Sequence, residues 1–230
     1  MGWLQNILEI DKQLFLYLNS FHNDFWDTIM LMVTRKETWL PFYAIIIFYI
    51  IKNYRGKALP VLLLVALVVV ASDQFSVLLK ESIQRLRPVH DPEIGPLVHN
   101  VLRKGGLHGF VSSHAANSFA IFAFTGRLFK NRWYSLLLLF WALLFSYSRI
   151  YSGVHYPLDI VGGALLGLLI GEGFFRVYLF AAGRKWFSRL KGDESALLPS
   201  SQAIIIYLVF AVLMVTVFAV TSILHHYNYL

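Results

Sequence analysis

The chain contains no cysteine, which excludes disulfides, thiolate metal sites and a thiol nucleophile. Charge is scarce as well. Only 14% of residues are Asp, Glu, Lys or Arg, against about one quarter in a soluble globular domain. With 57% hydrophobic residues and a mean hydropathy of +0.60, the composition is that of an integral membrane protein. The sequence shows no internal repeat and no low-complexity tract, so one membrane domain is the simplest organisation. The opening residues lack a basic start followed by an uninterrupted apolar core, so no cleaved signal peptide is expected.

What is present is a series of apolar runs near the length that crosses the roughly 30 Å hydrocarbon core as a helix. They fall at about residues 38 to 52, 58 to 79, 115 to 130, 133 to 151, 157 to 180 and 203 to 225. Ahead of them, Leu4, Ile7, Leu8, Leu14, Phe15 and Leu18 alternate with Glu9, Asp11, Lys12 and Asn19 at helical spacing, as in a helix lying in the membrane interface. Residues 25 to 33 are too few to span alone. The expected fold is therefore all-α: a polytopic membrane helical bundle of about six transmembrane helices with an N-terminal interfacial amphipathic helix. Residues 1–36 form the interfacial segment and residues 37–230 the membrane-embedded bundle.

The net charge of +7 is unevenly placed. In a six-span topology Lys52, Arg55, Lys57, Arg127, Lys130 and Arg132 fall on one side, as do Arg176 and Arg184. Short loops rich in Lys and Arg stay cytoplasmic, so the other face is expected to look into the periplasm or its equivalent, across the inner (plasma) membrane. The basic side then reads as a topology signal in contact with anionic lipid heads, and no nucleic-acid partner is expected. The connection from about Arg87 to Val111, rich in Pro and Gly, is not a continuous helix and reads as a mobile cover that selects the headgroup. A second polar stretch, about Gly183 to Gln202, reads as a solvated cytoplasmic loop.

On the outward side, three stretches place ionisable residues at the ends of apolar runs, where such residues usually serve a function. In the first, Lys80 is followed seven residues later by Arg87, with Pro88 next; a continuing helix would set both cations on one face. Arginine grips phosphate oxygens in pairs and lysine adds a point charge. Taken alone, such a pair also resembles ordinary headgroup anchoring. The second stretch is Ser112-Ser113-His114, where serines cap a helix whose free N–H groups can hold phosphate oxygens. There a histidine titrating near neutrality can pass protons. In the third, Ser148 and Arg149 end one span, Gly153 permits a return, and His155 precedes Pro157, a residue suited to the first helical turn. Asp159 then falls where it can orient the His155 ring, with histidine as nucleophile.

In this order and spacing the stretches resemble the signature of the type 2 phosphatidic acid phosphatase superfamily of membrane lipid phosphatases: Lys, six residues, Arg-Pro; Pro-Ser-Gly-His; Ser-Arg, five residues, His, three residues, Asp. Lys80, Arg87-Pro88, Ser112, His114, Ser148, Arg149, His155 and Asp159 match. Val111 stands where the pattern has proline and Ser113 where it has glycine. The likeness covers about residues 60 to 180. It implies that Lys80, Arg87, Ser112, Ser113 and Arg149 bind the phosphoryl group, that His155 attacks phosphorus to form a phosphohistidine, that Asp159 orients His155, and that His114 protonates the leaving group and then activates water. Three fixed cations would do the work that Mg²⁺ does in kinases.

No cofactor and no metal are expected, because these cations would repel a divalent ion from His90, His108, His114 and His155, and no HExxH spacing occurs. The expected partner is a membrane lipid bearing a phosphate: undecaprenyl diphosphate, a lipid A phosphate, phosphatidylglycerol phosphate or phosphatidic acid. An anion transporter or a lipid phosphotransferase would use a similar phosphate site, and vanadate-dependent haloperoxidases share the motif set in soluble proteins. Three further readings concern structure. Asp73 inside the second span reads as a partner for a basic group. Gly163, Gly167 and Gly171 read as a close helix contact. Trp26, Trp39, Trp133, Trp141 and Tyr151 read mostly as an interfacial aromatic belt.

Overall fold

The computed structural model describes residues 2–102, 104–188, 190 and 197–227. Among them the chain forms helices α1 (Trp3–Asn19), α2 (Asp24–Thr34), α3 (Leu40–Tyr54), α4 (Ala58–Ile83), α5 (Ser113–Phe129), α6 (Arg132–Tyr151), α7 (Pro157–Ala182), the short α8 (Lys185–Ser188) and α9 (Ser200–His226), with no strand beyond one isolated bridge between Leu86 and His108. Among the described residues, four stretches are long and apolar enough to cross a membrane: Lys36–Ile83, which holds α3 and α4, then Arg132–Tyr151, Pro157–Ala182 and Ser200–His226. The 17-residue α5 packs most extensively on α7. The six expected apolar helices correspond to α3, α4, α5, α6, α7 and α9. Their lipid-facing sides keep Leu63, Leu67, Phe140, Leu165, Leu169, Leu208 and Val212 exposed, as a bilayer rather than water requires.

The helix ends follow from local chemistry. Asn131 caps α6 by accepting from the backbone N–H groups of Trp133 and Tyr134, both at 3.0 Å. Pro157 opens α7 at a position that needs no donor. α4 stops at Ile83 and does not continue to Arg87, because Gln84 turns left-handed (φ 54°) and its N–H closes on the Lys80 carbonyl at 3.0 Å. Lys80 and Arg87 are therefore not on one helical face. Arg87 lies in extended chain, its N–H bonded to the Leu107 carbonyl at 3.0 Å.

α5 and α7 meet along the glycine stripe. A Cβ on Gly163 would stand 2.5 Å from the Ser112 carbonyl oxygen, one on Gly167 2.3 Å from that of Ala116, and one on Gly171 2.6 Å from that of Ala120. Backbone thus touches backbone over two turns, and the start of α7 is held beside the start of α5. The ends of α4 and α6 come to the same end of the bundle, so all three motifs share it. Arg55, Lys57, Lys130 and Arg132 fall at the opposite end.

The aromatic belt needs correction. Trp26 and Trp133 are exposed, but Trp39, Trp141 and Tyr151 are buried. Trp39 packs against Phe42, Trp141 and Phe210, and its ring N–H donates to the Val33 carbonyl at 2.8 Å, so Trp39 and Trp141 fill the core where α3, α6 and α9 converge, while the Tyr151 hydroxyl donates to Asp27 at 2.6 Å. α1 is amphipathic in a particular sense: Trp3, Leu4, Ile7 and Ile10 are exposed, whereas Asp11, Phe15 and Asn19 are buried. Its polar side grips the protein. Arg35, in extended geometry, separates α2 from the helices that follow.

The connection after α4 is tied down at several points. Lys12 pairs with Asp91 at 3.3 Å and with Glu93. The His99 N–H donates to Asn19 at 2.8 Å, its ring nitrogen meets Asp27 at 2.9 Å, and Asn100 donates to the Ser152 carbonyl at 2.8 Å. Within the expected cytoplasmic loop, Leu198 N–H bonds to the Phe129 carbonyl at 3.0 Å, and residues 191–196 lie outside the described residues.

Candidate active site

His155 and Asp159 sit one helical turn apart at the start of α7, and both side chains are buried. His155 Nδ1 lies 3.4 Å from Asp159 Oδ2, which also accepts from the Tyr156 N–H at 3.0 Å. The carboxylate therefore caps α7 and addresses the ring with the same oxygen. Burial first, and then the positive charges of Arg149, Arg87 and Lys80, hold the His155 imidazole well below its ordinary range. A ring kept unprotonated at neutral pH, with one nitrogen turned to a carboxylate, can act as a nucleophile through its other nitrogen.

The cations come from three elements. Arg149 ends α6; its Nη1 donates to Thr34 Oγ1 at 2.6 Å, while its buried Nε has no hydrogen-bond partner. Arg87 donates from Nε to the His108 carbonyl at 3.1 Å, which leaves the fork of its guanidinium outside that bond. Lys80 donates to Ser113 Oγ at 2.6 Å, and Ser76 Oγ lies 2.6 Å from the same hydroxyl. Ser113 thus bonds Lys80, where the glycine of the family pattern would leave that lysine to Ser76, whose carbonyl and hydroxyl oxygens each lie 3.4 Å from its ammonium. Ser112 caps α5, accepting from the Ala115 N–H at 3.5 Å, and its own N–H bonds to the Asp159 carbonyl at 2.9 Å. His114, the second residue of α5, packs 5.0 Å from the Phe145 ring; burial first, and then the charges of Arg149 and Arg87, hold its imidazole well below its ordinary range.

The structure therefore gathers the eight residues singled out by sequence at one end of the bundle. An imidazole backed by a carboxylate and three cations is suited to an oxyanion whose charge is spread over several oxygens. The signature of the PAP2 superfamily matches residues 57–183 of this chain. The chain belongs to that superfamily. The lipid A 4'-phosphatase of Bacteroides thetaiotaomicron is 40% identical over 195 residues, 83% of this chain and 84% of that protein. The lipid A 4'-phosphatase of Porphyromonas gingivalis is 34% identical over 184 residues, 79% and 78% respectively. Among solved structures, Aquifex aeolicus LpxE aligns with a TM-score of 0.55 at 24% identity over 71% of this chain and 93% of that one. A PAP2 type phosphatidylglycerolphosphate phosphatase from Bacillus subtilis gives 0.58, also at 24% identity, over 78% and 89%. These two share the fold.

Around the PAP2 motifs stand residues that spacing did not reveal. Thr34 reaches Arg149 across 115 positions. Arg85 bridges Asp159 and Asp11, each 74 positions away. Gly109 leaves room for the carboxylate: a Cβ there would stand 3.0 Å from Asp159 Oδ2 and 3.2 Å from Arg87 Cγ. Only Gly109 carried a sequence signal, as one glycine among several in a loop. A separate groove of about 460 Å³ between α5, α6 and α7 is lined by Phe122, Gly126, Arg127 and Glu172 and contains none of the motif residues.

Proposed function

We propose that this PAP2 protein is a metal-independent lipid phosphatase whose substrate is a lipid A phosphate, cleaved through a phosphohistidine at the outward face of the inner membrane. The observation that carries the reading is the buried His155, held between Asp159 and the charges of Arg149, Arg87 and Lys80. The lipid A class is supported by two relatives named for that activity, each aligned over more than three quarters of both chains. The outward orientation is supported by the basic residues at the opposite end of the bundle.

In this mechanism the unprotonated His155 nitrogen attacks phosphorus, the P–N bond forms and the bond from phosphorus to the lipid oxygen breaks. His114, which takes up a proton as the phosphoryl anion offsets the neighbouring cations, gives that proton to the departing alkoxide. It then takes a proton from water, which attacks phosphorus, breaks the P–N bond and releases inorganic phosphate. Arg87, Arg149 and Lys80 neutralise the equatorial oxygens in both steps, and Asp159 stabilises the charged ring. The test is phosphate release by purified protein over a panel of lipid A, undecaprenyl diphosphate, phosphatidylglycerol phosphate and phosphatidic acid. Release from lipid A, insensitive to a chelator and abolished by His155→Ala, is expected, with acid-labile phosphate trapped on the wild type after rapid quenching. Undiminished release by His155→Ala removes the nucleophile, and preference for another lipid removes the lipid A assignment.

A further inference from the structure

Asp159 divides its two oxygens. Oδ2 serves the Tyr156 N–H and His155, while Oδ1 accepts from Arg85 Nη1 at 2.9 Å. The other end of the same guanidinium, Nη2, donates to Asp11 Oδ2 at 2.5 Å. Asp11 belongs to α1, outside the segment that matches the superfamily, and is 3% exposed. Its second oxygen accepts from the Leu158 N–H at 2.9 Å, in the first turn of the helix that carries Asp159. The Arg85 guanidinium lies over the Tyr156 ring at 4.1 Å, and the Tyr156 hydroxyl donates to Asp91 at 2.9 Å. The guanidinium is thus fixed on three sides: by two carboxylates in its plane and by an aromatic face.

A fork bonded to two buried carboxylates at once leaves neither free to rotate. Hydrogen bonds to a charged group that is itself held by packing are how an orienting carboxylate is fixed. We propose that Arg85 and Asp11 are positioning residues that lock the Asp159 carboxylate toward His155, so that α1 completes the active site. Neither residue faces the phosphoryl position: Arg85 is spent on the two carboxylates and Asp11 on Arg85 and the α7 backbone. Their effect is therefore on the readiness of the nucleophile rather than on substrate capture.

The inference rests on the phosphatase reading, so the experiment starts with wild type and His155→Ala in the same lipid vesicles. His155-dependent release establishes the reading by itself, and its absence counts against that reading alone. Given such release, Arg85→Gln is expected to lower kcat about 10- to 100-fold, the scale of a small misplacement in a catalytic constellation, with KM within about twofold. Arg85→Lys recovers part of the loss. In an Asp159→Asn background Arg85→Gln costs less than about twofold, because residues acting through a shared partner are not additive. An equal loss in both backgrounds, or a raised KM with kcat unchanged, overturns the proposal. Where Arg85→Gln fails to fold or Asp159→Asn is too slow to measure, the isosteric Asp11→Asn decides. A roughly tenfold lower kcat at unchanged KM and melting temperature supports the relay, and an unchanged kcat ends it.

Discussion

The seam between α5 and α7 and the N-terminal pair α1 and α2 hold the same site by opposite means. The seam has almost no side chains: three glycines let two backbones touch, and the spacing between the Ser112 and His155 ends follows from that contact. The N-terminal pair works through side chains alone. Asp11 reaches Arg85, Asn19 reaches the Ile150 and Tyr151 carbonyls at 3.1 and 2.8 Å, and Thr34 reaches Arg149. The difference teaches that the family-matched core brings the candidate residues together by backbone contact, while a segment outside that core reaches them through side-chain hydrogen bonds.

Breaking the seam should have the largest effect. Gly167→Leu forces a side chain into the Ala116 carbonyl, and no monodisperse, active protein is expected. Gly173→Leu, whose Cβ meets nothing within 4 Å, should purify and turn over normally; size-exclusion profiles and phosphate release compare the two directly. The aiming side is probed by Thr34→Val, which takes from Arg149 its neutral hydrogen-bond partner. A bond to a charged group contributes about 1.5–3 kcal/mol, so kcat/KM should fall by about tenfold or more with folding retained. An unchanged kcat/KM would show that α2 plays no part in aiming the cation.

A third measurement separates the site's charge from its scaffold. His155 is held below the ordinary imidazole value near 6.5 by burial first and then by Arg149, Arg87 and Lys80. As pH falls below that value the unfolded chain takes up a proton that the folded one refuses, so stability is whole above about 6.5 and declines beneath it, by at most about 1.4 kcal/mol per pH unit. Melting temperatures of the phosphate-free protein between pH 7.5 and 5.5 should slope accordingly, and His155→Gln should lessen the slope without abolishing it, because the His114 ring is depressed in the same direction by burial and the same cations. A slope undiminished in His155→Gln assigns it to other groups. The smallest effect is expected for Ser113→Gly, which restores the family residue and frees Lys80 from its hydroxyl. KM should rise about threefold with kcat nearly constant, since one neutral partner of a still-charged lysine is lost; an unaltered KM would mean that Ser76 alone suffices.

Much of this was legible in the chain. Apolar runs bounded by Pro88 and Pro157 mark helix ends within a few residues, and the motif stretches carry all eight candidate site residues, because chain-local chemistry leaves a local pattern. The misreadings have physical causes. The shared helical face of Lys80 and Arg87, conditional on a helix continuing that far, is not realised because Gln84 turns left-handed, and such a turn has no compositional mark. Trp39, Trp141 and Tyr151 read as belt residues because an aromatic in an apolar run looks alike whether it meets headgroups or a neighbouring helix. Asp11, Thr34 and Arg85 escaped because a contact across 74 or 115 positions has no period to read.

The Arg149 Nε, buried and unpartnered beside its Thr34-bonded neighbour, has a consequence for handling the protein. A guanidinium N–H sequestered from water and left without an acceptor is an energetic debt that any tetrahedral oxyanion can settle. Orthophosphate or vanadate should therefore raise the melting temperature in a concentration-dependent way and compete with substrate, so the reaction product doubles as a stabiliser and a brake.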